Sequence, residues 1–240
     1  LIETDHHWEF VDEQISTDNL NLETEVLSVF ITSAVTAEII NALPKLKLIA
    51  CRSTGFNNID LNAAAAKGIA VENVPTYGDQ TVAEYAFTLL LALSRKLPEA
   101  INSYDKNVPV ENMRGWDLKG KTLGVIGSGH IGQCAIKIAN GFGMNVIAYD
   151  PYPNEQVASE LGFKYVELDE VFINSDAITI HAPYFPSNHH IVNAEKLALM
   201  KPTAVLVNTA RGELVDTKAL ADAMSQNKIA GVALDVIEGE

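Results

Sequence analysis

Short runs rich in β-branched residues alternate along this chain with stretches whose apolar positions recur every three or four residues. The first kind of run reads as strand and the second as helix. Their alternation is the signature of a parallel sheet covered by helices. Val26–Ile31 predicts the first strand, and Thr36 reads as the N-cap of a short helix that runs to Leu43 and stops at Pro44. Leu48–Cys51 predicts a second strand, Asp60–Lys67 a helix closed by Gly68, and Ile69–Val71 a third strand. These elements make a small doubly wound unit. In the poorly patterned Leu1–Ile15, Trp8–Val11 is read as a strand.

Asp79–Lys96 predicts a long helix, apolar almost all round through Val82, Ala83, Tyr85, Ala86, Phe87, Leu89, Leu90, Leu91 and Leu93, with Pro98 ending it. A helix without a polar face must be covered on every side. It is therefore expected between domains or between the subunits of a homodimer. After a more polar stretch, Glu99–Lys119, a second unit follows. Its expected strands are Thr122–Ile126, Val146–Tyr149, Ala177–His181, Thr203–Val207 and Ile229–Asp235. Helices are expected from Gly127 to about Asn140, near Glu155–Leu161 and Asp169–Asn174, around Ala194–Met200 and over Thr217–Ser225. The expected fold class is α/β, two doubly wound parallel-sheet domains, with a division into residues 1–78 and 79–240.

The second unit carries Gly127-Ser128-Gly129-His130-Ile131-Gly132, a G-x-G-x-x-G pattern. Alone the pattern is weak, but here it follows a β-rich run and opens a helix with the apolar stripe Ile131, Ala135, Ile138, Ala139 and Phe142. Asp150 stands 18 residues beyond Gly132 (150 − 132), at the end of the next strand. That is close to the ~20 of a dinucleotide-binding fingerprint. Gly127 allows the tight turn, Gly129 the approach of a pyrophosphate, and Gly132 close helix–strand packing, while the helix N-terminus offers free N–H groups to phosphate. Asp150 suits the ribose hydroxyls of NAD and repels the extra phosphate of NADP; the nearest downstream cation is Lys164.

Composition narrows the classes further. The chain is 48% apolar and 20% charged, with a formal net charge of -14, a surface that repels nucleic acid and anionic membrane. Cys51 and Cys134 cannot form a disulfide framework and suit a reducing, cytoplasmic compartment. No run approaches the ~20 apolar residues of a membrane helix. The chain starts at Leu1 without a methionine and stops at Glu240 directly after a patterned segment, so a fragment short at both ends is expected.

Of four arginines, Arg52 and Arg211 follow predicted strands, on the side where open α/β sheets bind ligands. Arg211, in Asn208-Thr209-Ala210-Arg211-Gly212, can grip a small carboxylate through two parallel hydrogen bonds or simply cap the next helix. Ser53-Thr54-Gly55 is either a nest of amide donors or an ordinary turn. Glu238 and Glu240 read as solvated turn carboxylates. The pairs His6-His7 and His189-His190 invite a metal reading, yet no Cys or carboxylate recurs beside them at ligand spacing, so no metal site is expected. His130 lies in the glycine loop, and His181 ends a strand where it can line a cofactor groove. Serine-hydrolase and zincin motifs are absent.

These residues, from about Val26 to Glu240, resemble the NAD-dependent D-isomer-specific 2-hydroxyacid dehydrogenases, most closely their D-lactate dehydrogenase branch. Arg52-Ser53-Thr54-Gly55-Phe56-Asn57-Asn58-Ile59-Asp60 is similar to the family's substrate loop, which implies that the Thr54 and Gly55 amides hold the substrate carboxylate. Asn73-Val74-Pro75-Thr76-Tyr77 resembles the segment before the family's long interdomain helix, which implies a place for Tyr77 near the substrate methyl group. Asn208–Asp216 is similar to the arginine signature, implying that Arg211 binds the substrate's carboxylate and carbonyl oxygen. Glu240 matches the catalytic glutamate, and Asp235 would contact the nicotinamide carboxamide. The resemblance assigns cofactor contacts to Gly127, Gly129, His130, Ile131, Gly132, Asp150, His181, Thr209, Ala210 and Asp235.

Residues 1–78 would then be an incomplete substrate-binding domain and residues 79–240 the NAD-binding domain. The implied reaction is hydride transfer between NAD(H) and a small anionic 2-keto or 2-hydroxy acid, with pyruvate and D-lactate the leading pair. Glyoxylate, hydroxypyruvate or 3-phosphoglycerate chemistry and an NAD-sensing corepressor are the alternatives. The family's acid–base histidine has no counterpart among the six histidines, so the chain by itself is expected to lack turnover.

Overall fold

The computed structural model describes residues 5–103 and 114–239, in two compact units, Leu1–Tyr77 and Gly78–Glu240. Both units are parallel α/β sheets.

In the first unit β1 (Val26–Val29), β2 (Leu48–Cys51) and β3 (Ala70–Glu72) lie side by side in that order. Helix α1 (Ala37–Ala42) joins the first pair and α2 (Leu61–Ala66) the second. Both helices start where a side chain takes up a free backbone N–H: Thr36 Oγ1 accepts from Ile39 and Asp60 from Ala63. Their apolar faces, with Ile39, Ile40 and Ala64, close on Val29, Ile49 and Cys51 of the sheet. Strand β1 stops two residues short of the expected Ile31, because its pairing ends at Val29 opposite Cys51 and the chain turns at Phe30. The expected strand at Trp8–Val11 does not form, and Trp8, Phe10 and Val11 are exposed.

The second unit opens with α3 (Asp79–Ser94). In the chain by itself Thr81, Glu84, Tyr85 and Thr88 are exposed, while Ala83, Ala86, Phe87 and Leu90 are buried. The helix ends at Ser94, and Lys96 adopts a positive φ of 49°. Pro98 does not end it; Pro98 instead sits in the first turn of α4 (Leu97–Ser103), where its missing N–H leaves nothing unpaired.

Six parallel strands follow: β4 (Thr122–Ile126), β5 (Asn145–Tyr149), β6 (Lys164–Tyr165), β7 (Ala177–Ile180), β8 (Val205–Asn208) and β9 (Gly231–Leu234). Their connecting helices are α5 (His130–Gly141), α6 (Glu155–Leu161), α7 (Leu168–Asn174), α8 (Ala194–Leu199) and α9 (Thr217–Ser225). The sheet order is β6-β5-β4-β7-β8-β9, so the chain winds outward from β4 in one direction and then from β7 in the other. This is the dinucleotide-binding order, and β4/β7 is its switch point. The chain has the α/β architecture of parallel, doubly wound sheets.

Strand alternation explains the two cores of this unit. Leu123 and Val125 of β4, Ala177 of β7 and Val205 and Val207 of β8 point to one face, beneath α3 and α5. Ile126, Ile178, Ile180 and Leu206 point to the other, beneath α7, α8 and α9. Burial on both faces selects near-continuous apolar runs. Gly124 interrupts one run for a reason: a Cβ there would stand 2.3 Å from Ser175 Oγ and 2.7 Å from Val171 Cγ1 of α7.

Candidate functional site

Every parallel strand from β4 to β9 except the two-residue β6 hands over, at its carboxyl end, to a residue singled out in the sequence. Gly127 follows β4, Asp150 follows β5, His181 follows β7, Thr209 follows β8 and Asp235 follows β9. Parallel strands of one sheet end on one edge, so the fold brings these positions, with Gly129, His130, Ile131, Gly132, Ala210 and Arg211, to the same rim. Ligands of open α/β sheets bind on that rim, at the switch point.

The glycine loop is tightly built. Gly127 has φ of +94°, and a Cβ would meet Ala182 N at 2.5 Å, so backbone from β4 and β7 touch there. A Cβ on Gly132 would stand 2.1 Å from Gly127 O. Gly129 is different: it is the N-cap of α5, and a Cβ there would meet nothing within 4 Å. The space above Gly129 is therefore open, at the amino end of a twelve-residue helix with no side-chain cap hydrogen bond among the described residues, so its first N–H groups can face an anion.

Asp150 is tied into this loop. Its Oδ2 accepts from Ser128 N (2.8 Å) and Ser128 Oγ (3.0 Å), and Oδ1 accepts from Tyr152 N (3.0 Å). Ser128 Oγ also lies 2.7 Å from Tyr165 Oη. Ser128 and Tyr165 escaped the sequence reading, because contacts across 22 and 37 residues leave no spacing signal. His130 is exposed and 3.9 Å from Asp79. Ile131 is half-buried against the core beneath α5.

Two buried polar atoms on the rim lack a hydrogen-bond partner among the described residues: His181 Nδ1 and Thr209 Oγ1. His181 Nε2 lies 3.0 Å from Thr179 Oγ1. Burial pushes the imidazole down to about 4, so His181 is neutral at neutral pH. The unfolded chain's histidine titrates near 6.5, so between pH 6.5 and about 4 only the unfolded chain holds this proton. Stability is present above that window and falls as pH drops through it, by about 3 kcal/mol for this group. His181→Asn is expected to flatten the acid limb of urea-unfolding stability against pH by up to one proton. A limb as steep as that of the unaltered protein would refute the buried neutral imidazole.

After β8 the chain turns on buried Asn208, which accepts from Ala210 N (3.0 Å) and donates to Arg211 O (2.8 Å). Arg211 Nη1 donates to Ala210 O at 2.7 Å, and the guanidinium makes no ion pair among the described residues. A Cβ on Gly212 would stand 2.2 Å from the carbonyl carbon of Ile237, so this turn packs backbone to backbone against the segment after β9. Asp235 is exposed at the head of that segment; Glu240 lies outside the described residues.

The same segment brings Glu238 to the paired histidines. Glu238 Oε2 is 2.8 Å from His190 Nε2, and Oε1 is 3.8 Å from His189 Nε2. The expectation that the pair has no carboxylate beside it is thus corrected: the carboxylate comes from 48 residues away, by packing rather than by spacing.

In the first unit, Thr54 Oγ1 donates to Val74 O (3.1 Å), Asn73 Nδ2 donates to Thr54 O (2.8 Å) and Ser53 Oγ donates to Gly55 O (2.7 Å). The Thr54 and Gly55 N–H groups meet no acceptor among the described residues, the condition an amide nest requires. Phe56 and Tyr77 are exposed.

Comparison with known proteins agrees with this construction. The sequence profile described as "D-isomer specific 2-hydroxyacid dehydrogenase, NAD binding domain" matches residues 87–240. A 2-hydroxyacid dehydrogenase homolog of Haemophilus influenzae is 41% identical over 237 residues, 97% of this chain and 71% of that protein. The D-lactate dehydrogenase of Escherichia coli is 39% identical over 219 residues, 90% of this chain and 66% of that protein. Relatives of similar identity are named D-3-phosphoglycerate dehydrogenase (Methanocaldococcus jannaschii, 43%) and glyoxylate reductase (Thermococcus litoralis, 39%). Among solved structures, D-lactate dehydrogenase from Aquifex aeolicus, complexed with NAD and lactic acid, superposes with a TM-score of 0.88 at 38% identity, covering 94% of this chain and 68% of that one. The open glycine, the free helix terminus and the two unpartnered polar atoms fit a dinucleotide. With this fold, this rim and these relatives, the chain belongs to the D-isomer-specific 2-hydroxyacid dehydrogenases and carries their NAD-binding domain.

Proposed function

We propose that the protein interconverts a small 2-keto acid and its D-2-hydroxy acid, with pyruvate and D-lactate as the pair. The observation that carries this reading is Arg211, a guanidinium with no ion pair among the described residues, on the ligand-binding rim of a chain with net charge -14. Such a group does not draw in an anion through the overall field, so its attraction is local and directional.

Bound NADH supplies a hydride to C2 of the keto acid. The residues of the chain prepare that step. The α5 N-terminus and the Gly127–Gly132 loop hold the pyrophosphate, Asp150 accepts from the adenine ribose hydroxyls, and His181, Thr209, Ala210 and Asp235 line the nicotinamide side. Arg211 orients the carboxylate and polarises the carbonyl oxygen where negative charge grows. The Thr54 and Gly55 amides add donors to the carboxylate, and Tyr77 takes the substrate's methyl group. Glu240 favours the protonated form of the acid–base imidazole by its opposite charge. The division of labour follows the two units, substrate binding in residues 1–78 and cofactor binding in residues 79–240.

Asp150 decides between cofactors. Asp150→Ala removes the acceptor for the ribose hydroxyls and frees the Ser128 donors. It is expected to weaken NADH binding by about tenfold or more and to narrow the preference for NADH over NADPH. Fluorescence titration with both cofactors checks this; an unchanged preference would remove Asp150 from that role.

The reading is tested by NADH oxidation in the complete protein with pyruvate, glyoxylate, hydroxypyruvate and 3-phosphohydroxypyruvate. Highest kcat/KM with pyruvate supports it. A higher value with another acid reassigns the substrate. NADH-strengthened peptide binding without turnover indicates a sensor instead.

A further inference from the structure

We propose that His189, His190 and Glu238 form a transition-metal site, with Zn²⁺ the ion it is built to take. Nothing in the proposed hydride transfer uses these residues. Their ligating atoms, two imidazole nitrogens and a carboxylate oxygen, all lie within 4.8 Å of one another.

The arrangement takes a backbone concession to achieve. Consecutive residues of an extended segment project to opposite sides. His190 departs from that pattern with a φ of +51°, a left-handed conformation that is uncommon for residues with a side chain but enriched for histidine. The turn lays its ring beside that of His189, with centroids 3.8 Å apart and planes 23° from parallel. Both Nε2 atoms then face the same carboxylate.

The hydrogen bonding is incomplete in a way that an ion completes. His190 Nε2 bonds Glu238 Oε2 at 2.8 Å, but His189 Nε2 stands 3.8 Å from Oε1, beyond hydrogen-bond reach. One carboxylate therefore serves one ring and leaves the other facing it unbonded. An ion with bonds of ~2.0–2.1 Å at tetrahedral angles holds its ligand atoms ~3.3 Å apart. The 2.8 Å from His190 Nε2 to Oε2 and the 3.8 Å from His189 Nε2 to Oε1 bracket that spacing, and one ligand atom from each residue lies within 4.8 Å of the other two. Ligation displaces the proton that His190 Nε2 now shares with Glu238. Tyr184 Oη, 3.5 Å from His189 Nδ1, stands behind the first ring as the partner that orients a ligating imidazole from its far side.

The donor set names the metal. Two imidazoles favour Zn²⁺ and its transition-metal neighbours over Mg²⁺ or Ca²⁺, which prefer all-oxygen ligands. Three protein ligands leave a fourth position for water. The stack also has support on either side. His190 N donates to Glu213 O at 2.9 Å, and Glu238 belongs to the segment that packs against Gly212. An ion would thus fasten the loop after β7 to the segment after β9.

Isothermal titration of the purified protein with Zn²⁺ alone, in the absence of NADH and substrate, tests the site, with the visible spectrum of bound Co²⁺ as a second readout. The expected result is one saturable ion per chain. His189→Ala, His190→Ala and Glu238→Gln should each weaken it by at least the about 10–100-fold that loss of even an outer partner costs, and should abolish the Co²⁺ spectrum. The double variant His6→Ala/His7→Ala should bind as the unaltered protein does. Absence of saturable binding overturns the proposal. So does binding that survives the Glu238 and His190 substitutions, or that disappears with His6 and His7.

Discussion

Replacing Arg211 with lysine is expected to lower kcat/KM for the keto acid by about 10²–10³-fold, the scale of losing one preorganised donor to a developing oxyanion. Positive charge is kept in this variant, so the loss isolates geometry. The guanidinium presents two parallel N–H donors in a fixed plane, and the ammonium offers a single flexible point charge. Asn208 closes the turn beneath Arg211, and the Nη1 bond to Ala210 O fixes one side of the guanidinium. NADH affinity should change little, because the variant alters neither the glycine loop nor Asp150. Near-unaltered kinetics for Arg211→Lys would remove Arg211 from the reaction. A loss confined to NADH affinity would place it on the cofactor instead.

A pair of glycine substitutions separates folding from cofactor binding on the same loop. Gly132→Ala places a methyl group 2.1 Å from Gly127 O, against backbone that cannot swing aside as a side chain can. Overpacking of this kind is expected to cost about 3 kcal/mol and to lower Tm by roughly 6–12 °C for a chain of this size. NADH binding should disappear with it, since the loop must move. Gly129→Ala points a methyl group into open space at an N-cap whose φ of -66° any residue adopts. Its folding cost is expected at about 1 kcal/mol or less, while NADH binding weakens at least about tenfold because the methyl group occupies the pyrophosphate's approach. Thermal unfolding and NADH titration on both variants make the comparison. Equal losses of affinity and stability in Gly129→Ala would refute the open approach above that glycine.

The fold was legible where a rule acts locally. Strands buried on both faces must read as apolar runs, and β2 and β4 and helices α6 and α9 fall on their expected residues. The rim was legible for a related reason. A polar residue or glycine directly after an apolar run marks a strand end, and in a parallel sheet those ends share an edge. The features that escaped depend on distant pairing. Trp8–Val11 alternates like a strand but forms none, and β6 is only two residues long. In α3 the leucines outnumber Thr81, Glu84 and Thr88, and the angular position of those three sets the stripe exposed in the chain by itself. Asp150's grip on Ser128 and Glu238's place beside two histidines are products of packing.

The most direct measurement is the stereochemistry of the product. The complete protein, incubated with NADH and pyruvate, is expected to form lactate that is entirely the D enantiomer, in amounts equal to the NADH consumed. Formation of L-lactate, or NADH binding with no lactate at all, would contradict the account.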